Sequence, residues 1–314
     1  MTTAFIFPGQ GSQAVGMGRS LAEAFPVARA VFDEVDEALS QKLSTLMWDG
    51  PAEELTLTAN AQPALMAVSL AVVRALEAEA GLDLARDAAF VAGHSLGEYS
   101  ALAAAGTFSI SDAARLLRIR GNAMQQAVPA GQGAMAALLG AELDLAREIA
   151  AEAAQGEVCE AANDNGGGQV VLSGAKAAVE RAIALSSTRG VKRAVLLPVS
   201  APFHCALMQP AADAMAEALA KVAMRAPVVP VVANVGAAPL SDPDAIRKSL
   251  VAQVTGTVRW RECVSAMAAA GVTDFVEAGS GKVLAGLVKR IVPGTAPISI
   301  GTAEDVVGYK SRKG

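Results

Sequence analysis

The 314-residue sequence predicts an α/β fold in which a parallel sheet is interrupted by a smaller inserted unit, on three observations. Short apolar runs rich in β-branched and aromatic residues alternate with helical patterns, the alternation that builds a parallel sheet covered by helices. Between about residues 131 and 199 the order changes to strand, helix, strand, strand, helix, strand, which reads as a ferredoxin-like subdomain. Hydrophobic residues make up 53% of the chain, ample for one large core with a subdomain attached.

In chain order, strands of the main sheet are expected at Thr3–Phe7, Ala88–Ala92, Val229–Asn234, Asp274–Glu277 and Ile298–Ile300. Each is a short apolar run that closes on glycine, proline or a polar residue. Helices are expected at Pro63–Glu79, Ser111–Gln126, Met208–Val222 and Trp260–Ala270, several opening on the Ser, Asp or Pro that helix starts favour. The inserted unit reads as Ala134–Gly140, Leu143–Ala154, Val158–Asn163, Gln169–Ser173, Ala175–Ser186 and Lys192–Pro198. The chain thus divides into a large domain, residues 1–130 and 200–314, and a subdomain, residues 131–199. Tyr309 to Gly314 reads as a solvated basic tail.

Composition excludes several functions. A formal net charge of −5 leaves no electrostatic footprint for nucleic acid. Charged, Gly and Pro residues interrupt the apolar segments, so no membrane span is expected. The start, MTTAFIFPGQG, lacks the pattern of a secretion leader, and a cytoplasmic, monomeric protein is expected. Cys159, Cys205 and Cys263 are widely spaced, which suits reduced thiols better than a disulfide framework or a metal site.

The strongest chemical signal is Gly93-His94-Ser95-Leu96-Gly97, set between an apolar strand and the helix-forming run Glu98–Ala105. That context is what a nucleophile elbow requires: the glycines permit a sharp turn that lifts the Ser95 hydroxyl out of the sheet. A serine nucleophile needs a base, and the chain has two histidines, His94 and His204. His94 adjoins Ser95, and neighbouring side chains at a strand end point apart, so His94 reads as a packed residue steadying the elbow. His204, in the turn Ser200–Cys205, can be carried over the sheet edge and is the better base.

These residues carry a resemblance that extends over nearly the whole chain. Phe7–Gln13 (FPGQGSQ), Gly93–Gly97, Arg118-Ile119-Arg120-Gly121, Ala162–Asn165 (ANDN), Ala201–His204 followed by Ala206-Leu207-Met208, Gln253, and Gly279–Leu284 occur in an order that resembles the bacterial malonyl-CoA:acyl carrier protein transacylase family. The resemblance implies an α/β-hydrolase-like large domain, a ferredoxin-like small one, and an active site between them. It makes Ser95 the acylated nucleophile and His204 its general base, a Ser-His dyad without an acidic third member. Gln253 matches the neighbourhood in which a main-chain carbonyl holds the outer imidazole nitrogen. The backbone N–H groups of Gln10 and Leu96 would form the oxyanion hole, two donors from separate loops as such chemistry needs. Arg120 matches the anchor for malonate's free carboxylate, where a planar guanidinium binds with two hydrogen bonds. The bulk of Phe203 should disfavour a branched acyl group, and Asn163 and Asn165 match polar residues near the cleft.

The activity so implied moves malonyl from its coenzyme A thioester to the phosphopantetheine thiol of acyl carrier protein by a ping-pong cycle, supplying fatty acid synthesis. No metal and no redox cofactor is expected. A polyketide pathway is the alternative setting, and a serine thioesterase or acyl hydrolase would share the elbow without needing Arg120. Gly9–Ala14 (GQGSQA) also fits a dinucleotide fingerprint, but Pro8 interrupts the join of strand to turn and no acidic residue ends a second strand. A noncatalytic carrier-protein binding module would leave the nucleophile and base without a use.

Overall fold

The computed structural model describes residues 2–313. Ten strands form two sheets: β1 (Thr3–Phe7), β2 (Phe90–Gly93), β3 (Gly133–Leu139), β4 (Cys159–Asp164), β5 (Gln169–Ala175), β6 (Arg193–Leu196), β7 (Val231–Val232), β8 (Pro239–Leu240), β9 (Asp274–Ala278) and β10 (Ile298–Ile300). The large sheet runs β10-β9-β1-β2-β7-β8, parallel throughout except for the β7–β8 pair. β1 lies centrally and its Ala4–Phe7 are fully buried, because helices cover both faces and the strand can be apolar along its whole length.

The second sheet is antiparallel in the order β4-β5-β3-β6, with the helices Leu143–Ala154 and Lys176–Ser186 as its crossovers. This is the ferredoxin-like arrangement. Its core, including Leu138, Ile149, Leu172 and Val179, is separate from the main one. The small sheet is stitched to the segment before the helix Trp260–Ala269, where Val258 N–H donates to Ala162 O and Asp164 N–H donates to Val258 O, both at 2.9 Å. Beside them Arg261 Nε donates to the buried Asp164 carboxylate at 2.8 Å. That seam presents the end of β4, and so Asn163, to the large domain.

Four sequence expectations are corrected. The strand expected over Val229–Asn234 shortens to β7, since Pro230 has no N–H for a ladder. The helix expected from Pro63 begins at Thr58 and runs to Ala80, with Pro63 inside it. Only the bond from residue 63 to Ala59 O is thereby lost. This helix is also long and apolar enough to span a membrane by length and composition, contrary to the sequence reading; 83% of its most apolar 18-residue window is buried, as in a core element of the fold. Finally, the segment from Tyr309 to Lys313 is helical and not a loose tail: Tyr309 is buried, while Lys310, Ser311 and Arg312 are exposed as expected. It ends the helix Ala303–Lys313, whose Val306 and Tyr309 are buried and which docks on Thr58–Ala80, while Gly314 lies outside the described residues.

Candidate active site

Ser95 stands between the end of β2 and the helix Gly97–Ala104 with φ of +54°, a left-handed conformation that a residue with a side chain adopts only when its surroundings hold it there. The turn is too tight for side chains at its flanks. A Cβ on Gly93 would lie 1.9 Å from the Gly97 carbonyl, and one on Gly97 would lie 2.3 Å from Phe7 O. Three hydrogen bonds hold it. Ser95 N–H donates to Asn234 Oδ1 (2.8 Å), Asn234 Nδ2 donates to Gly93 O (2.8 Å), and Gln253 Nε2 donates to Ser95 O (3.0 Å).

His204, itself at φ +57°, brings Nε2 to 2.7 Å from Ser95 Oγ, while its Nδ1 lies 2.8 Å from Gln253 O. A carbonyl only accepts, so Nδ1 carries the ring proton and Nε2 presents its lone pair to the serine hydroxyl. The ring is 4% exposed. Burial, aided by the Arg120 charge, pushes its pKa down to about 3, so the imidazole is neutral and able to accept a proton at ordinary pH. His94 faces elsewhere: its Nε2 lies 2.8 Å from Asn165 Oδ1, and burial holds it below the usual histidine range.

Arg120, on the helix Ile110–Gln126, is 1% exposed. Its Nη2 donates to Gln253 Oε1 (3.0 Å) and to Ser95 Oγ (3.2 Å), its Nη1 donates to Gln62 Oε1 (2.8 Å), and its Nε has no hydrogen-bond partner. Among the described residues no carboxylate bonds this guanidinium. The acid in the vicinity is Glu98, fully buried, whose Oε2 accepts from Asn234 N–H and Gln253 Nε2, both at 2.9 Å, while Oε1 has no partner. Desolvation pushes the Glu98 carboxyl up to about 7. A buried cation with spare donors beside a nucleophile is a site for an anion carried by the reacting molecule.

These groups face one cleft of about 400 Å³, with Gln10, Gln62, His94, Ser95, Arg120, Asn163, Phe203 and His204 in its lining. Leu96 is buried at the head of the helix Gly97–Ala104, whose first N–H groups bond back to the elbow, Gly97 to His94 O at 2.9 Å and Glu98 to Ser95 O at 3.0 Å. Gln10, in the turn after β1, lines the cleft. A larger hollow of about 610 Å³ near Phe108 and Arg225 contains none of these groups. The cysteines are buried, and desolvation pushes Cys159 and Cys205 up to about 11 and raises Cys263 further, so the thiols do not compete as nucleophiles.

Sequence reasoning missed Gln62, Glu98 and Asn234. Glu98 carried the one usable signal, a charge at the head of the otherwise uncharged run Tyr99–Ala105 beside the nucleophile. Gln62 bonds Arg120 and Asn234 bonds the elbow from 58 to 141 residues away.

Residues 4–307 match the model of the acyl transferase domain family. The chain is 50% identical over 289 residues to the malonyl CoA-acyl carrier protein transacylase of Escherichia coli (strain K12), covering 92% of each protein. It superposes with a TM-score of 0.97 on an acyl-carrier-protein-S-malonyltransferase from Bartonella henselae, at 58% identity, covering 100% of this chain and 99% of that one. A further solved structure, of a type II PKS acyl-carrier protein in complex with its malonyl-transacylase, matches at 42% identity and a TM-score of 0.96 over 99% of this chain and 100% of that one. With a fold, a coverage and a level of identity that all agree, the chain belongs to the acyl transferase domain family, among the malonyl-CoA:acyl carrier protein transacylases.

Proposed function

We propose that this chain takes the malonyl group from malonyl-CoA as an ester on Ser95 and passes it to the phosphopantetheine thiol of an acyl carrier protein. His204 Nε2 accepts the Ser95 proton as Oγ attacks the thioester carbon. The oxyanion of the tetrahedral intermediate is held by the N–H groups of Gln10 and Leu96. On collapse the C–S bond breaks, and the imidazolium returns the proton to the leaving thiolate, releasing coenzyme A. The carrier thiol then gives its proton to His204 and attacks the ester carbon; the C–O bond to Ser95 breaks, and the imidazolium returns the proton to Oγ.

The observation that carries this reading is Arg120 beside Ser95, fully buried and without a carboxylate of its own. A plain acyl chain or a hydrolase has no use for such a cation. Phe203 crowds the cleft against a branched acyl group, His94 and Asn165 brace its rim, and Asn163 lines it from the small sheet. The malonyl units would feed fatty acid synthesis. The likeness to a structure holding a polyketide carrier protein favours a second setting for the same chemistry. The cycle needs no metal or redox group, runs on a monomer, and suits the cytoplasm, where thiols stay reduced.

The test is to mix the protein with malonyl-CoA and holo carrier protein and weigh the carrier. The expected result is one malonyl added to the carrier, only when enzyme is present. Release of free malonate with an unmodified carrier would replace this reading with a hydrolase.

A further inference from the structure

Arg120 and the Gln10 turn are linked by a chain of hydrogen bonds whose direction is fixed by chemistry. Arg120 Nη1 lies 2.8 Å from Gln62 Oε1, Gln62 Nε2 lies 2.9 Å from Thr58 Oγ1, and Thr58 Oγ1 lies 2.9 Å from Gln10 Oε1. A guanidinium has donors only, so Gln62 must turn its oxygen toward it. The amide nitrogen then faces Thr58 and can only donate. That occupies a lone pair of the hydroxyl and leaves its hydrogen for Gln10. Every donor in the chain therefore points from Arg120 toward the turn.

The inner links are rigid. Thr58 is fully buried and Gln62 is 1% exposed. Thr58 opens its helix where the helix of Arg120 crosses it: a Cβ on Gly121, the residue after Arg120, would lie 2.7 Å from both Thr58 O and Ala59 Cα. Glycine at 121 lets the two backbones touch, and so fixes Thr58 relative to Arg120. The outer link, Gln10, lies on a half-buried turn outside any helix or strand. A turn of that kind needs an external tie to hold a backbone N–H in place.

We propose that Thr58 is a positioning residue that ties the Gln10 turn to the guanidinium of Arg120 through Gln62. The inference rests on the roles given above to Gln10 and Arg120. Thr58 does not line the cleft and meets neither acyl group nor thioester, so its effect passes through Gln10. The oxyanion donor acts on charge that develops only in the transition state. Losing its alignment therefore lowers kcat and leaves KM for malonyl-CoA nearly unchanged.

The experiment is a double-mutant cycle on the full chain: wild type, Thr58→Val, Arg120→Ala and the double variant, with Thr58→Ser as rescue. Single-turnover acylation by malonyl-CoA is read by intact mass, and folding is checked by thermal melt. Valine keeps the shape of threonine and breaks both hydroxyl bonds, of which the one to Gln10 holds the turn, so kcat should fall about tenfold, the size of that one lost hydrogen bond, with KM within about twofold. Thr58→Ser should restore the rate. In the Arg120→Ala background, where the chain is already cut, Thr58→Val should cost less than about threefold. Equal factors in both backgrounds, a change in KM alone, or no change in kcat would overturn the proposal; if the valine variant does not fold, Thr58→Ala enters the same cycle. An Arg120→Ala variant that slowed malonyl-CoA and acetyl-CoA alike would instead overturn the role given to Arg120, a failure distinct from an additive cycle.

Discussion

Arg120 Nη2 stands 3.2 Å from Ser95 Oγ, so the cation and the nucleophile address neighbouring atoms of one small acyl group. In a malonyl ester the free carboxylate sits one methylene beyond the ester carbon, within reach of a guanidinium at that spacing. Truncating one partner of such a buried charged pair costs about 2–5 kcal/mol, much of it from leaving the other charge unpaired. Arg120→Ala should therefore cripple acylation by malonyl-CoA and leave acetyl-CoA equal or improved, flattening or inverting selectivity. Arg120→Lys should recover only part, because an ammonium keeps the charge and loses the planar fork. The check is kcat/KM for both thioesters in all three proteins; an equal loss for both would make Arg120 a structural or general coenzyme A contact.

His204 sets the pH dependence. Its folded pKa, near 3, lies below the ordinary 6.5, so the base stays neutral as pH falls through the usual histidine range. The acid limb of kcat/KM for malonyl-CoA, which reports the free enzyme, should accordingly show no histidine inflection near 6.5. The same shift makes the contribution of His204 to stability complete above the unfolded pKa and progressively lost as pH falls toward the folded one. His204→Ala should slow both half-reactions by about 10²–10⁴-fold, and His94→Ala should act mainly on stability. An acid limb centred near 6.5, or a greater rate loss for His94→Ala at equal stability, would contradict these assignments.

Glu98 titrates with the opposite sign. Burial raises its folded pKa to about 7 from an ordinary 4.5. Its favourable contribution is full below the unfolded value and lost as pH rises through the folded one, where the native state must bury a carboxylate. Glu98→Gln keeps an oxygen for Asn234 N–H and Gln253 Nε2 and gives Oε1, now without a partner, a neutral replacement. The variant should melt higher than wild type at about pH 8, with the gap closing toward about pH 5. A gap independent of pH would mean that Glu98 is not the titrating group.

The carrier protein is expected to be acidic, and this chain is net negative, so docking needs a local basic surface. Lys289 and Arg290 are exposed on the helix Val283–Ile291, and Lys282 is exposed just before it. Ser280 Oγ donates to Ser12 O, which ties the approach to that helix to the strand-end segment that includes Gln10. Reversing the charges of Lys289 and Arg290 should weaken transfer to the carrier, most at low salt, and spare acylation by malonyl-CoA. An unchanged transfer rate would place docking elsewhere.

What the sequence disclosed about this fold follows from how local each signal is. β1 and β10 were legible to the residue, because an apolar run ending on proline or glycine needs no information from elsewhere. Helix starts were less so. Ser109, two residues before the expected Ser111, caps the helix Ile110–Gln126 by accepting from Asp112 N–H, and both serines fit the local pattern. In the cleft, Ser95, His204 and Arg120 could be named beforehand because they stand in motifs. The bonds of Asn234 to the elbow could not, since a polar residue at a strand end looks the same whether it meets water or a backbone amide 139 residues away. Thr58 and Gln62 were hidden by Pro63, which drew the expected helix start past both.

The most direct measurement is the intact mass of the protein after mixing with malonyl-CoA alone, in wild type and in Ser95→Ala. The half-reaction needs no acceptor, so the wild-type chain should gain one malonyl group, mapped by peptide mass to Ser95, and the variant should gain none. A malonyl adduct that persists in Ser95→Ala, or that maps to Cys205 or another thiol, would contradict the account.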